Sequence, residues 1–82
     1  MSKEAIEILV KDVIRELIWG NPDWDKKLKD LPKEDLIEVM KNVTEVYAEV
    51  RLLTTTLGTA IRKDEGNMDK IIDAAILLNP IN

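Results

Sequence analysis

The sequence predicts an all-α protein, a small helical bundle of three main helices at about residues 3–19, 33–63 and 68–78. Apolar residues recur every three or four positions in these stretches, which places them along one face of an α-helix. Glycine, proline or asparagine stands at most of the boundaries, where such residues end one helix or begin the next. A chain of 82 residues is the size of one domain, so residues 1–82 are taken as a single all-α domain.

The first helix is expected to begin after Ser2, whose hydroxyl can accept a hydrogen bond from a backbone N–H of the first turn. Gly20 is expected to end it, because glycine adopts the left-handed conformation that closes many helices without steric cost. The connector that follows, residues 22–31, is polar. It can form a turn or two of helix in which Trp24 and Leu28 face inward.

Pro32 opens the long central helix, which carries acidic residues in its first turn. Its apolar residues alternate in steps of four and three over nearly four heptads, a pattern typical of a coiled-coil seam. The seam residues, all expected to be buried, are Leu36, Met40, Val43, Tyr47, Val50, Leu57 and Ile61. Three threonines and Gly58 lower the helix propensity near its end, so the sequence leaves open whether the helix breaks at residues 54–58.

Residues 64–67 are predicted to form a turn, in which Gly66 ends the long helix and Asn67 caps the last one. The last helix has only three charged residues and is apolar around most of its circumference. A helix of this kind is buried on most sides. Asn79-Pro80 is expected to end it.

The arrangement of the helices is predicted from their lengths. The first and last helices, laid end to end, would just cover one side of the long helix, and short loops would make neighbours antiparallel. Such a layer leaves apolar surface uncovered, and large exposed apolar patches are rare on monomers. We therefore expect a homodimer, in which one patch serves both copies. The alternative is that the connector folds over and closes a monomeric bundle.

The composition excludes several kinds of chemistry. The chain has no histidine and no cysteine, so it lacks the commonest general base, the commonest transition-metal ligand and any thiol nucleophile. A formal net charge of −4 argues against nucleic acid as a partner, and a small nucleic-acid-binding regulator is kept only as a second alternative. The sequence shows neither a membrane-spanning stretch nor a signal peptide, and the expected location is the cytoplasm.

One acidic stretch could carry metal chemistry. Glu34-Asp35-Leu36-Ile37-Glu38 resembles, in its spacing, the paired-acid helix of all-α nucleoside triphosphate pyrophosphohydrolases, in which carboxylates hold magnesium. The resemblance implies a metal-dependent nucleotide hydrolase. It requires a second acidic pair on a facing helix, for which Glu45 with Glu49 and Asp69 with Asp73 are the choices. Because charged helix faces are routine, we favour the solvated interpretation and predict no catalytic residue, no metal-binding residue and no cofactor.

The function that remains is protein–protein interaction. Trp19 and Trp24 bracket a turn, and tryptophan is a favoured anchor at interfaces, although both could instead plug the end of the bundle. Glu38, Glu45 and Glu49 form an acidic row that could cover a basic surface. We therefore predict a non-enzymatic interaction module, such as an adaptor, an assembly factor or a small acidic inhibitor of a larger protein, with these five residues binding the partner.

Overall fold

Three α-helices make up the fold in the computed structural model of the chain, which describes residues 1–56 and 65–81. The helices are α1 (Lys3–Ile18), α2 (Lys33–Thr56) and α3 (Glu65–Leu78). A single 3-10 turn at Lys26–Leu28 lies in the connector between α1 and α2. The described residues include no β-strand, so the predicted all-α class is confirmed.

Both ends of α1 follow from its sequence. The Ser2 side chain accepts a hydrogen bond from a backbone N–H of the first turn at 3.1 Å. At the other end Gly20 has a φ of +72°, and its N–H donates to the Leu17 carbonyl at 3.1 Å. The Asn21 N–H donates to the Glu16 carbonyl at 3.0 Å. These two bonds form a Schellman motif, which satisfies carbonyls that the last turn of a helix leaves unpaired.

Helices α1 and α2 run parallel. The amino group of Met1 lies 3.7 Å from the Asp35 carboxylate at the start of α2. At the far end of α1, Leu17 lines a groove together with Tyr47 and Val50. The prediction of antiparallel neighbours is wrong for this pair, because the connector is long enough to carry the chain back along the bundle before α2 begins.

Helix α3 lies beside α1 and runs antiparallel to it. Arg15 pairs with Asp69 at 2.8 Å and Lys11 pairs with Asp73 at 2.7 Å, so residue numbers fall along α3 as they rise along α1. The end-to-end placement of these two helices is therefore wrong. They pack side by side, and both also pack on α2, so that the three helices surround one core.

The core lies between the helices and is almost wholly aliphatic. Its buried apolar residues are Ile6, Val10, Val13, Ile14, Leu28, Val39, Val43, Val46, Val50, Met68, Ile72, Ala75 and Ile81. Leu28 brings the connector into this core, and Ile81 does the same for the residues after α3. The connector thus covers one side of the bundle, which is the arrangement expected of the monomeric alternative.

The buried face of α2 is centred on a line of valines rather than on the predicted seam. Val43 and Val50 are buried as expected, but Leu36, Met40 and Tyr47 lie at the edge of the line and are only half-buried. Because α2 meets neighbours on two sides, its buried face falls between the predicted seam and a second apolar row beside it, which consists of Val39, Val46 and Leu53. The last two seam residues lie outside the described residues.

Two predicted features, the end of α2 and the start of α3, fall in or beside residues 57–64, which the structure does not describe. The proposed continuation of α2 to residue 63 and the break near Gly58 both lie outside the described residues. Helix α3 begins at Glu65, so Gly66 and Asn67 belong to its first turn. The prediction that these two residues form a turn before the helix is wrong. Backbone N–H groups in a first turn have no helical partner in any case, so glycine and asparagine disturb few bonds there.

Candidate interaction surface

The charged residues of α2 are sorted onto two sides of the helix. Each residue is turned by about 100° from the one before, which fixes its position relative to the buried valines. Five acidic residues fall on one side of that line: Glu34, Asp35, Glu38, Glu45 and Glu49. Lys33 and Arg51 fall on the other side, and Lys41 lies on the face opposite the valines. The acidic row predicted from the sequence is therefore one side of a helix whose two sides differ in charge.

We call Glu38, Glu45 and Glu49 the acidic flank. All three residues are partly exposed. None of them forms an ion pair with another described residue. Leu52 continues the row less than one turn beyond Glu49, and 59% of its surface is exposed. The structure thus places an exposed leucine at the end of a row of carboxylates that form no ion pair with a described residue, and Lys41 is the cation one turn from both Glu38 and Glu45.

Acidic residues at the contacts between the other elements form ion pairs, unlike the acidic flank. Asp12 contacts both Arg15 and Lys27 at 3.0 Å, which ties α1 to the connector. The Asp69 and Asp73 carboxylates hold α3 against α1. The hydrogen bond that Lys11 donates to Asp73 raises the pKa of Lys11, and the hydrogen bonds that Arg15 donates to Asp69 raise the pKa of Arg15. These carboxylates hold elements together, so they are less available to a partner than the acidic flank.

Trp19 belongs to the edge of the core. It is the C-cap residue of α1 and packs against the buried cluster. Its indole Nε1 is buried and has no hydrogen-bond partner among the described residues. Its ring is half-buried and packs at the end of the bundle, a position that the sequence allowed.

Trp24 is half-buried and separates two grooves. One groove, of about 200 Å³, has a mixed lining, in which Val13 and Trp24 lie among charged residues of α1 and the connector. The other, of about 300 Å³, has Leu28, Leu36 and Met40 in its walls. Trp24 therefore remains accessible from the surface, as an interface residue must be.

Within the part of the chain that the structure describes, no second acidic pair lies against the acidic stretch at the start of α2. Among the described residues, no three acidic side chains converge in a way that could hold a metal ion. The Asp35 carboxylate instead faces the Met1 amino group at 3.7 Å. The second acidic pair that the resemblance to pyrophosphohydrolases requires does not lie against the first one.

Asn42 is a buried residue that the apolar pattern did not single out. Only 1% of its surface is exposed, and its Nδ2 donates to the Glu38 carbonyl at 2.9 Å. It lies between Val39 and Val43 in the buried line of α2. In the sequence, Asn42 follows one core valine by three residues and directly precedes another. This spacing was the signal that Asn42 is buried.

Comparison with protein-family models finds no match to the chain, and comparison with curated proteins and with solved structures finds none either. Within the described residues, no helix has both the length and the hydrophobicity that crossing a membrane requires. The function is therefore inferred from the chemistry of the surface alone.

Proposed function

We propose that this chain is a non-enzymatic protein–protein interaction module that binds a basic surface of a larger protein through its acidic flank. The observation that carries the proposal is the row of three carboxylates without an ion pair among the described residues, which ends at the exposed Leu52. We place the module in the cytoplasm, in line with its lack of cysteine.

The spacing of the acidic flank defines the partner it fits. Glu38 and Glu45 are separated by about 10.5 Å along the helix axis, and Glu45 and Glu49 by about 6 Å. A partner helix that carries lysine or arginine at intervals of seven and four residues would match these distances. The charges would speed association and select the partner, while Leu52 would supply apolar contact area.

A comparative pull-down tests this proposal. Extract from the native host is passed over the wild-type chain, over the triple variant E38Q/E45Q/E49Q, and over the control E4Q/D23N/D30N. The control removes the same number of charges from exposed positions outside the acidic flank. We expect a protein that the wild type and the control retain and that the triple variant loses. If all three chains capture the same proteins, the acidic flank is not the binding surface.

Self-association is the second part of the proposal. The ion pair between Lys11 and Asp73 fixes the register of α1 against α3, so the next turn brings Ile8 and Leu77 to the same level of the bundle. Ile8 is 62% exposed and Leu77 is 81% exposed. We call these two residues the outer apolar pair. A second copy could cover the pair across a twofold axis, because each copy presents the same surface.

A further inference from the structure

We infer that the side of α2 opposite the acidic flank is a second docking surface, which takes an amphipathic helix with acidic residues beside its apolar face. This surface would bind a partner of opposite charge to the one proposed above. The inference rests on different residues and stands independently of the acidic flank.

The first half of the surface is the apolar groove beside Trp24. It measures about 300 Å³ and is lined by Trp24, Asp25, Leu28, Lys29, Leu36 and Met40. The connector forms one wall, since Leu28 is anchored in the core, and α2 forms the other wall. A groove with one wall fixed in this way is already formed before a partner arrives, which lowers the entropy cost of binding.

The second half is a groove of about 280 Å³ between the end of α1 and the later turns of α2, and its lining is more polar than that of the first groove. Leu17 and Ile18 form one wall, and Tyr47, Val50, Arg51, Thr54 and Thr55 form the other. The two threonine hydroxyls donate to the Arg51 carbonyl at 2.8 and 2.9 Å. Because these hydroxyls are already bonded within their own helix, the threonines add no unmet polar group to the wall.

The two grooves lie in line along α2. Leu36, Met40 and Tyr47 follow one another on the same side of the helix, at steps of four and seven residues. The α2 residues that line the two grooves are centred about 20 Å apart, given a rise of about 1.5 Å per residue. Apolar residues eleven and fourteen positions apart on a partner helix lie on one face and span about 16.5 and 21 Å. A helix of four to five turns would therefore reach both grooves, with an apolar residue beside Leu36 and Met40 in one and beside Leu17 and Ile18 in the other.

The charges around the grooves select an acidic partner. Lys29 and Arg51 line the grooves, Lys33 precedes Leu36 on the same side of α2, and none of the three forms an ion pair with a described residue. Asp25 is the one acidic residue in either lining. The acidic residues of α2 all lie on the far side of its buried line. An amphipathic helix with glutamates beside its apolar face complements this arrangement in shape and in charge.

Fluorescence anisotropy with a set of labelled 18-residue peptides tests the inference on the full chain. The probe has leucines at positions 4, 8, 11 and 15, and all of its charged residues are glutamates. One control peptide replaces the glutamates with lysines, and another replaces the leucines with serines. We expect saturable binding of the glutamate peptide and at least tenfold weaker binding of the serine peptide. The lysine peptide is labelled and titrated on its own, because it would pair directly with the glutamate peptide in a competition.

Variants of the protein locate the site. K33E/R51E should weaken binding of the glutamate peptide at least tenfold, whereas K3E/K70E, with the same charge change on α1 and α3, should leave it within twofold. The variant E38Q/E45Q/E49Q should bind this peptide no more weakly than the wild type, so failure of the acidic flank would not affect the result. The inference is overturned if the glutamate peptide does not saturate, if K33E/R51E binds it normally, or if K33E/R51E weakens binding of the lysine peptide to the same extent.

Discussion

Asn42 is the one polar or charged residue that is buried within the described residues, and its amide donates to the Glu38 carbonyl within α2. A buried amide stabilises a fold only while its hydrogen bonds are made, since an unmet polar group costs more than a bond gains. The bond to Glu38 therefore offsets part of the cost of burying the Asn42 side chain beside the valines of α2.

We expect Asn42→Ala to lower the free energy of unfolding by about 1–3 kcal/mol, because it removes a buried hydrogen bond and leaves a small cavity. Thr44→Ala is the matched control. The Thr44 hydroxyl donates to the Met40 carbonyl at the same distance of 2.9 Å, but Thr44 is exposed, so its loss should change stability by no more than about 0.5 kcal/mol. Urea unfolding of both variants measures the difference, and equal losses would contradict the role given to Asn42.

Gly20 is a second position where one residue sets the structure. Its φ of +72° is costly for residues that carry a Cβ, yet no atom lies within 4 Å of where a Cβ would stand. Gly20→Ala should therefore destabilise the fold by about 1 kcal/mol through backbone strain alone, and Gly20→Asn should cost less because asparagine tolerates this conformation. Thermal unfolding would contradict this if the alanine variant were as stable as the wild type.

At the scale of the helices, local residues predicted both ends of α1, whereas the start of α3 was predicted wrongly and tertiary contacts determined the helix directions. Ser2 and Gly20 predicted the ends of α1 because caps depend only on neighbours in sequence. The direction of α1 against α2 could not be predicted, since it depends on how far the connector runs back before Pro32. The acidic flank was visible as spacing along a single helix. The grooves were not, because their walls come from the connector and α1.

The ion pair between Lys11 and Asp73 gives the contact of α1 with α3 a dependence on pH. The hydrogen bond that the Lys11 ammonium donates to the Asp73 carboxylate raises the pKa of Lys11 in the folded state. A group whose pKa is raised by folding stabilises the fold fully below its unfolded value, which is about 10.4 for lysine, and loses that stabilisation as pH rises through the higher folded value. The pair is partly exposed, so its contribution is about 0.2–1 kcal/mol.

Lys11→Met should therefore cost about 0.2–1 kcal/mol from pH 7 to about pH 9.5, and the cost should vanish on further alkalinisation. Urea unfolding of both proteins along this pH series measures it. In an Asp73→Asn background, the same substitution should lose most of its pH dependence. A cost for Lys11→Met that stays constant up to pH 12 would show that the ion pair does not hold α3 to α1.

At the scale of the whole molecule, exposed apolar residues decide whether the protein acts alone. The connector closes one side of the bundle, so a dimer is not needed to complete the core. The outer apolar pair nevertheless remains exposed on α1 and α3. An interface built around Ile8 and Leu77 would leave both sides of α2 accessible, so a dimer could present two copies of each docking surface.

Leu77→Glu should convert the dimer to a monomer at concentrations where the wild type is dimeric, because it would place two glutamates against an apolar interface. Ile37→Glu is the matched control, since Ile37 is 59% exposed but lies on α2, away from the pair. Sedimentation velocity over a concentration series measures both variants. A wild type that stays monomeric up to about millimolar concentration would rule out the homodimer.

The most direct test of the acidic flank is a nuclear magnetic resonance titration of the ¹⁵N-labelled chain with an 18-residue amphipathic peptide whose polar face carries lysines. We predict saturable shifts of the amides of Glu38, Glu45, Glu49 and Leu52, with an affinity that falls as salt rises and that is lost in E38Q/E45Q/E49Q. The absence of saturable shifts, or shifts concentrated at Trp24 and Met40 in place of the acidic flank, would contradict the proposed function.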